Sequence, residues 1–554
     1  MTFPHSQRPT NPDRRRRLNA GIGALTSLSI VAAAVVGFSW TAQTPEAQAS
    51  SSVEDVGTPA PQAPFPVATD APSSSPTADP SSTASPAVGS QIDNVVLILA
   101  DDLDWGLFGQ VPRLAALKDR GMTFTNHTVI DSLCCPSRVS ILRGQYIHNH
   151  RVISNIEATG GGWPTFRRLG EHRDCLPVWL DNAGSTTAMF GKYMNEYPDP
   201  GKADYVPPGW DEWAVPTSRG DSYSGYNYGL NENGTVKQYG DNPYDFLNDV
   251  LNRKAQSFIR KAPDGFFMQF STYSPHKPFA TAQRHRSKHA FTRVPRTPAY
   301  NAIGINEPAW MKQFFPLSEK RLRKIDKVWS ERARSAETFA DTVETILNTL
   351  RATGRDKNTL VVISSDNGYH MGEYRLPKGK RLPYDSDTVV PLIMIGPGIT
   401  PGSEVDDMTS SIDFAPTITE LLGAQAPSWV DGRSLTNFIT TGNAPENWRT
   451  GALSESLGIS TPRDPDWQRF NPPRYDALRT KEWLYVQYAD GSRTLYNRLS
   501  DPYSLNNVID TTDPLIVSQL KAQTDQLRVC AGPSCKVADS REILTPSDEP
   551  IAAE

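Results

Sequence analysis

The stretch "NVVLILADDLD", residues 94–104, decides the fold class. Its first seven residues form an apolar run rich in β-branched side chains, too short for the core of a helix. Such a run is typical of a strand buried on both faces, as in parallel sheets. A second run of this kind, "NTLVVISS", occupies 358–365, and the helical pattern of 331–354 leads into it. The sequence therefore predicts an α/β fold whose strands are mainly parallel.

Both predicted strands end in acidic or amide side chains. Asp101, Asp102 and Asp104 follow the first strand, and Asp366 and Asn367 follow the second. Ligands of parallel sheets bind beyond the carboxyl ends of the strands. Carboxylate and amide oxygens suit calcium or magnesium better than zinc. Each acid could instead cap the next helix or turn, but two matching strand ends favour a metal site.

Two adjacent cysteines open the segment "CCPSRVSILRG", residues 134–144. No second C-x-x-C or histidine cluster follows, so a zinc site is not predicted. If 137–143 forms a helix, Cys134 and Arg138 lie near its N-terminus, where anions bind and thiols become nucleophilic. The alternative is a structural role, with Cys135 bridged to Cys175.

Three further cationic positions follow predicted strands or strand ends. Lys192 follows "TTAMFG", His276 follows "GFFMQFS", and Lys378 and Lys380 lie in "RLPKGKR" after Asp366. Each alone is more often a surface charge or a hydrogen-bonded core histidine. Together they predict a pocket for a tetrahedral anion beside a divalent metal.

These motifs resemble those of a known family. "CCPSR" followed by "ILRG" resembles the type I sulfatase signature, and "LILADD", "FGKY", "SPHKPF", "SSDNG" and "VPLIMIGPGI" occur in that family's order. The resemblance covers roughly residues 91–540. "GKYMNEY", "VPPGWDEW" and "SSDNGYHMGEY" are similar to segments of the N-acetylglucosamine-6-sulfatases. The resemblance implies an alkaline-phosphatase-like α/β fold with a smaller C-terminal antiparallel-sheet subdomain.

The resemblance also implies a cofactor and a modified residue. Cys134 would be oxidised to formylglycine by a formylglycine-generating enzyme that reads the surrounding motif. Its hydrate would act as the nucleophile while bound to a calcium ion. The implied calcium ligands are the modified Cys134 and Asp101, Asp102, Asp366 and Asn367.

Four residues match the family's other catalytic positions. The resemblance implies that Arg138 steadies the hydrated formylglycine and that Lys192 and Lys380 bind sulfate oxygens. His276 would protonate the leaving alcohol.

The chain departs from the family at one position. Many sulfatases have Lys-x-His where this chain reads Lys192-Tyr193-Met194. His148, His150 and His370 are candidates for the missing histidine and for binding substrate.

Four aromatic residues are candidates for the rim of the pocket. We expect Tyr193, Trp210, Trp213 and Tyr369 to pack on a sugar face. Burial in the core is the alternative, and for the two tryptophans it is equally favoured.

The expected function is hydrolysis of sulfate esters, with the 6-O-sulfate of N-acetylglucosamine in sulfated glycans as substrate. One alternative is an arylsulfatase of broad range acting on aryl sulfates. Another is a phosphonate or phosphate monoester hydrolase of the same superfold, although its usual serine or threonine is absent at 134. A third is a protein that binds sulfated glycans with Cys134 unmodified.

The N-terminal segment predicts export. Basic residues precede an apolar run at 21–40, and "AQAS" at 47–50 offers a cleavage site, so residues 1–49 are read as an export signal. The alternative is an uncleaved membrane anchor, in which case alone a membrane contact is expected. Residues 50–90, rich in Pro and Ser, are expected to be a disordered linker. The protein is therefore expected to be secreted or held at the cell surface.

The remaining chain divides into a catalytic domain at 91–440, a C-terminal subdomain at 441–540 and a tail at 541–554. Asp490-Gly491 predicts a hairpin, and a helix is expected near 513–528. Cys530 and Cys535 are expected to form a local disulfide, because the protein is exported. The formal net charge of −5 gives no support to nucleic-acid binding.

Overall fold

The computed structural model describes residues 92–217, 221–459, 461–464, 466–467 and 471–544. All of them belong to one compact unit. The expected export signal and linker lie outside the described residues, as does most of the expected tail.

A ten-stranded sheet forms the centre of the molecule. Its strands, in spatial order, are β11 (Glu404–Val405), β2 (Met122–Phe124), β10 (Leu392–Ile395), β9 (Thr359–Ser365), β1 (Asn94–Ala100), β8 (Phe266–Ser271), β4 (Thr186–Gly191), β5 (Glu212–Pro216), β6 (Gly229–Glu232) and β7 (Thr235–Gln238). The central strands β9, β1, β8, β4 and β5 are parallel, whereas β10, β6 and β7 run antiparallel to their neighbours. The predicted mainly parallel sheet is therefore confirmed.

Helices cover both faces of this sheet. The helices of the described residues are α1 (Trp105–Gln110), α2 (Pro112–Ala115), α3 (Cys134–Arg143), α4 (Ile147–His150), α5 (Gly162–Arg168), α6 (Leu176–Asn182), α7 (Asp221–Ser224), α8 (Leu247–Lys261), α9 (Ala309–Lys312), α10 (Glu319–Thr353), α11 (Asp385–Thr388), α12 (Phe414–Leu421), α13 (Thr436–Thr441), α14 (Pro514–Leu527) and α15 (Pro533–Asp539). The helix predicted at 331–354 is α10, which begins twelve residues earlier than expected.

The packing of β1 explains why its sequence is apolar from Val95 to Ala100. Val96 and Ile98 belong to a core cluster with residues of α8 and α10. Val95 and Leu97 belong to a second cluster with residues of α3, α6 and α12. Successive side chains of a strand point to opposite faces, so a strand covered on both faces needs an apolar residue at every position.

A second sheet of four antiparallel strands lies towards the C-terminus. Its strands are β13 (Gly451–Ser456), β14 (Tyr475–Thr480), β15 (Trp483–Tyr488) and β16 (Arg493–Asn497). The predicted hairpin joins β15 to β16, and the predicted helix is α14. A small two-stranded sheet joins β3 (His127–Thr128) to β12 (Thr409–Ser410).

Cys530 and Cys535 form the expected disulfide. Among the described residues, no helix combines the length and the apolar character needed to span a bilayer.

A buried ion-pair network joins α15 to the segments that directly precede α12 and β13. The Arg449 guanidinium donates to both oxygens of Asp413, at 2.6 and 2.9 Å, and to Asp539 at 2.8 Å. The side chains of all three residues are almost fully buried. Removing one partner of such a network leaves a buried charge uncompensated.

We predict that Arg449→Leu lowers the free energy of unfolding by about 3–5 kcal/mol. The reason is that the buried Asp413 carboxylate loses its ion-pair partner, whereas Asp539 keeps its pair with Arg433 at 2.6 Å. Urea unfolding monitored by circular dichroism measures the change. The control is Lys481→Ala, which removes a half-exposed cation paired with Asp406 and Asp407 at 3.2 and 3.1 Å. Its expected cost is below about 1 kcal/mol, and equal costs for the two variants would argue against the network.

Candidate active site

The acidic ends of β1 and β9 meet at one edge of the sheet. The two strands pair in register up to Ala100 and Ser365, so Asp101 and Asp366 begin beside each other. The backbone N–H of Asp102 donates to Asp366 Oδ1 at 3.1 Å, and Asn367 Nδ2 donates to Asp102 Oδ1 at 2.7 Å. Parallel pairing of two distant segments thus places three carboxylates and one amide in one buried cluster.

Helix α3 brings Cys134 to this cluster as its first residue. The helix begins three residues earlier than predicted. Pro136 fits its first turn, because N–H groups there have no partner within the helix and the missing N–H of proline costs no hydrogen bond. The Cys134 thiol lies 3.3 Å from Asp101 Oδ1 and 2.8 Å from Lys380 Nζ. Burial raises the pKa of this thiol well above its ordinary value, although Lys192 and Lys380 oppose the effect.

Each of the three carboxylates pairs with a different cation. These cations come from separate parts of the chain: α3, the end of β4, and the loop after β9. The pairs are Arg138 Nε with Asp366 Oδ2 at 2.9 Å, Lys192 Nζ with Asp101 Oδ2 at 2.7 Å, and Lys380 Nζ with Asp102 Oδ1 at 2.7 Å. Arg138 also donates to the carbonyl of Lys192 at 2.9 Å. The structure therefore brings together Asp101, Asp102 and Asp366 with three of the predicted cations. Asp104 lies apart and pairs with Arg332 at 3.0 Å, and Lys378 lines a neighbouring cavity.

The electrostatics of the cluster favour the charged forms of Lys192, Lys380 and Asp101. Burial would lower the pKa of Lys192, but Asp101 outweighs it and the pKa is raised well above its ordinary value. Asp102 and Asp466 act in the same way on the pKa of Lys380. Burial would raise the pKa of Asp101, yet Lys192, with further cations, holds it well below its usual range.

His276 lies at the mouth of the cluster, after β8. Its Nδ1 atom contacts the Lys277 carbonyl, which can only accept, so Nδ1 carries a proton. Its Nε2 atom lies 3.8 Å from Asp102 Oδ2 and 3.5 Å from Asp466 Oδ1. Burial lowers the pKa of His276, but Asp101, Asp102 and Asp466 raise it above its ordinary value. The ring is therefore placed to hold a proton on the atom that faces the cluster.

Asp466 is a site residue that the sequence analysis missed. Besides His276, its carboxylate lies 3.2 Å from Lys380 Nζ and 3.4 Å from Lys277 Nζ, and it accepts a hydrogen bond from Asn155 at 2.9 Å. It follows no predicted strand and belongs to no motif. The acidic composition of "TPRDPDW" at 461–467 is the one feature of the sequence that could have pointed to Asp466.

Tyr223 was missed for the same reason, since it lies outside the motifs. Its ring centroid is 5.5 Å from Lys192 Nζ and 4.8 Å from the centroid of the His276 ring. Met194, at the position of the missing histidine, is buried and lies 3.8 Å from the Cys135 sulfur. An aromatic ring and a thioether therefore occupy the surroundings of Lys192.

The three candidate histidines pair with groups outside the cluster. His148 contacts Glu455 at 2.6 Å, and His150 contacts Ser140 at 2.9 Å. His370 Nδ1 lies 3.0 Å from Asp387, while its buried Nε2 has no hydrogen-bond partner among the described residues. Among the described contacts, the side chains of His148 and His150 therefore do not touch Cys134.

The expectation of an aromatic rim is wrong for three of its four residues. Tyr193, Trp210 and Trp213 are buried and belong to the core cluster that contains α3 and α6. Tyr193 and Trp213 pack edge to face, with ring centroids 5.1 Å apart. Tyr369 alone is partly exposed and lines a cavity.

The donor set at the strand ends fits a divalent metal. Ligand atoms of Asp101, Asp102, Cys134 and Asp366 all lie within 4.8 Å of one another, and all four residues are buried. The Oδ1 atom of Asn367 is buried and has no hydrogen-bond partner among the described residues. A cluster rich in oxygen donors suits a hard cation such as calcium or magnesium.

The fold is an alkaline-phosphatase-like α/β fold, with buried acids, cations and a cysteine at the carboxyl ends of its strands. Residues 93–424 match the sequence profile of the sulfatase family. Residues 372–529 match the C-terminal profile of N-sulphoglucosamine sulphohydrolase. The chain belongs to the sulfatase family, whose members hydrolyse sulfate esters.

Individual relatives agree with this assignment. The chain is 32% identical over 483 residues to the N-acetylglucosamine-6-sulfatase of Capra hircus, a match that covers 81% of this chain and 86% of the goat protein. Among solved structures, that of BT4656 in complex with its substrate D-glucosamine-2-N,6-O-disulfate has a TM-score of 0.64 at 19% identity, covering 79% and 96% of the two chains. The phosphonate monoester hydrolase of Agrobacterium radiobacter has a TM-score of 0.60 at 21% identity, covering 78% and 96%. These structures share the fold.

The alternative of a Cys135–Cys175 disulfide is wrong. Both cysteines are free and buried. The Cys135 thiol contacts the sulfur of Met194, whereas the Cys175 thiol donates to the carbonyl of His172. The two thiols therefore belong to the same core cluster but contact different residues.

We predict that a non-reduced digest contains the Cys135 and Cys175 peptides as separate, alkylatable thiols. The Cys530–Cys535 link should survive in the same digest as an internal control. Mass spectrometry after alkylation under denaturing conditions measures both. A peptide pair joined through Cys135 and Cys175 would contradict the structure.

Proposed function

We propose that the enzyme removes the 6-O-sulfate of N-acetylglucosamine in sulfated glycans, with Cys134 converted to formylglycine and a calcium ion bound beside it. The observation that carries the chemistry is the position of Cys134. It opens α3 within "CCPSR", in contact with both a carboxylate of the metal cluster and the ammonium of Lys380.

The calcium ligands in this proposal are Asp101, Asp102, Asp366, Asn367 and the modified residue 134. The unpartnered Oδ1 of Asn367 and the close packing of the acids support the assignment. Bound there, calcium and hydrated formylglycine would together supply an oxygen nucleophile at neutral pH.

The remaining residues bind the sulfate group and handle its proton. Lys192 and Lys380 are charged, buried and aimed at the cluster, so they can neutralise the charge that grows on the sulfate oxygens. Arg138 holds Asp366 in place through its own ion pair. His276 can hold a proton on Nε2 and give it to the departing sugar oxygen, which would otherwise leave as an alkoxide.

The sugar assignment is supported by relatives. The segments "GKYMNEY", "VPPGWDEW" and "SSDNGYHMGEY" resemble N-acetylglucosamine-6-sulfatases, and the goat enzyme of that name aligns with most of the chain. A primary sulfate on C6 projects from the sugar ring. It can therefore reach the buried cations while the ring stays outside.

We further propose that the protein is exported and acts outside the cytoplasm. The basic and apolar segments before residue 50 support export. The Cys530–Cys535 disulfide agrees with an oxidising compartment. A fractionation of the producing cells that finds the full-length chain only in the cytosol would contradict this proposal.

We predict that Cys134→Ser abolishes sulfate release but leaves the melting temperature nearly unchanged. A serine has no aldehyde to hydrate and cannot regenerate one after the sulfate leaves. The matched control is Cys135→Ser, which alters the neighbouring buried thiol and should keep most of the activity. Turnover of Cys134→Ser at a rate close to that of the parent would disprove the role of formylglycine.

We predict that calcium raises the Tm of chelator-treated parent enzyme and restores its activity, because it screens the crowded carboxylates. Asp366→Ala should lose both effects. The control is Asp104→Ala, at the same strand end but paired with Arg332 at 3.0 Å, which should lower the Tm yet keep the calcium response. Differential scanning fluorimetry gives the Tm values. A calcium response that persists in Asp366→Ala would count against the site.

We predict that N-acetylglucosamine 6-sulfate has a kcat/KM at least about tenfold above those of galactose 6-sulfate, a 2-sulfated uronate and a simple aryl sulfate. Tenfold corresponds to about 1.4 kcal/mol of transition-state preference. Sulfate release measured across this panel tests it. If galactose 6-sulfate or the uronate is preferred, the sugar assignment fails and the sulfatase chemistry stands.

A further inference from the structure

A large cavity lies beside the catalytic cluster. It has a volume of about 820 Å³ and is lined by the start of α10 and by the loop that carries Lys380. It shares Lys277 and Asp466 with the cavity of about 440 Å³ that contains Lys192 and His276. We call the larger cavity the cationic groove, and the two cavities adjoin at Lys277 and Asp466.

The charge of the cationic groove is strongly one-sided. Among its described lining residues, Asp466 is the one acid, and it is already paired with site cations. The lining cations are Lys277, Arg321, Lys324, Arg375, Lys378 and Lys380. A cleft lined by charges of one sign attracts and concentrates ions of the opposite sign.

Much of this positive charge has no counter-ion in the described part of the chain. Neither Arg321 nor Lys324 lies within ion-pair distance of a described carboxylate, and both are exposed. Arg375 donates to the Phe314 carbonyl through Nη1, whereas its Nε is buried without a hydrogen-bond partner among the described residues. Burial, and then Lys277 and Arg332, lower the pKa of Lys378. Lys378 therefore lies among like charges, and an anion bound beside it would relieve that repulsion.

Exposed aromatic rings line the same groove. Phe315 is 85% exposed and Trp467 is 41% exposed. Both rings line the groove and can offer apolar faces to a ligand bound there. Aromatic faces pack against the apolar faces of sugar rings, while arginine and lysine bind sulfate and carboxylate groups. The combination suits an anionic saccharide better than a small inorganic ion.

We propose that the cationic groove binds the sulfated or carboxylated sugars next to the target residue, so that the enzyme prefers a glycan chain to a single sulfated sugar. This inference rests on the proposed function and extends it. Arg321 and Lys324 hold the anionic groups, and Phe315 and Trp467 pack on the sugar rings between them.

The test compares a glycosaminoglycan tetrasaccharide that ends in N-acetylglucosamine 6-sulfate with the free monosaccharide and a small aryl sulfate. The double variant Arg321→Glu with Lys324→Glu should lower the ratio of kcat/KM for the tetrasaccharide to that for the aryl sulfate at least about tenfold, mainly through KM. The matched control, Lys320→Glu with Arg323→Glu, makes the same charge change on exposed residues of α10 that do not line the groove. It should leave the ratio within about twofold. An equal fall in both double variants, or none in either, overturns the proposal.

Direct binding separates this inference from the proposed function. A fluorescent tetrasaccharide titrated into the Cys134→Ser enzyme should bind, and binding should weaken at least about tenfold, or 1.4 kcal/mol, when the groove variant is added to that background. If the enzyme hydrolyses the aryl sulfate but neither sugar, the 6-O-sulfate assignment fails and this titration alone decides the role of the groove. Binding that the groove variant does not weaken overturns the inference. Equally tight binding of single-stranded DNA of matched charge also overturns it, because the groove would then be a general polyanion site.

Discussion

Three carboxylates, Asp101, Asp102 and Asp366, lie side by side where almost no water reaches them. Like charges at this spacing repel, and burial removes the solvent that would screen them. Three cations compensate this charge, and each comes from a different part of the chain. The parallel register of β1 and β9, the start of α3 and the loop around Lys380 must therefore all be in place together. A divalent metal among the carboxylates would complete the same compensation.

This constraint ties the chemistry to the fold. A substrate sulfate is itself an anion, so it can bind only where the cations carry more charge than is needed to neutralise the carboxylates. Lys192 and Lys380 serve both purposes, because they pair with the acids from one side and remain charged. Asp466 and Asp102 hold His276 between them at the mouth of the site. The cationic groove extends the positive field outward from there.

The parts of the site that follow strands could be predicted from sequence, because a buried strand has an unmistakable apolar pattern and its end is easy to locate. That reasoning found Asp101, Asp366, Lys192 and His276, and the family motif found Cys134. Asp466 could not be found in this way, since it lies on an irregular segment and reaches the cluster through tertiary contacts alone. Trp210 and Trp213 are ambiguous for another reason: tryptophan suits a sugar-binding surface and a core equally well. Only their packing decides for the core, because Trp213 contacts Tyr193 and Trp210 contacts Trp213 and Phe267.

The central claim is that residue 134 is an aldehyde in the working enzyme. The most direct measurement is the mass of the peptide that spans Cys134, taken from a preparation of the parent chain that releases sulfate. The account predicts that residue 134 has lost its sulfur, resists alkylation and reacts with a hydrazide probe, while Cys135 in the same peptide remains an alkylatable thiol. A fully active preparation in which residue 134 is recovered only as an alkylated cysteine would contradict the account.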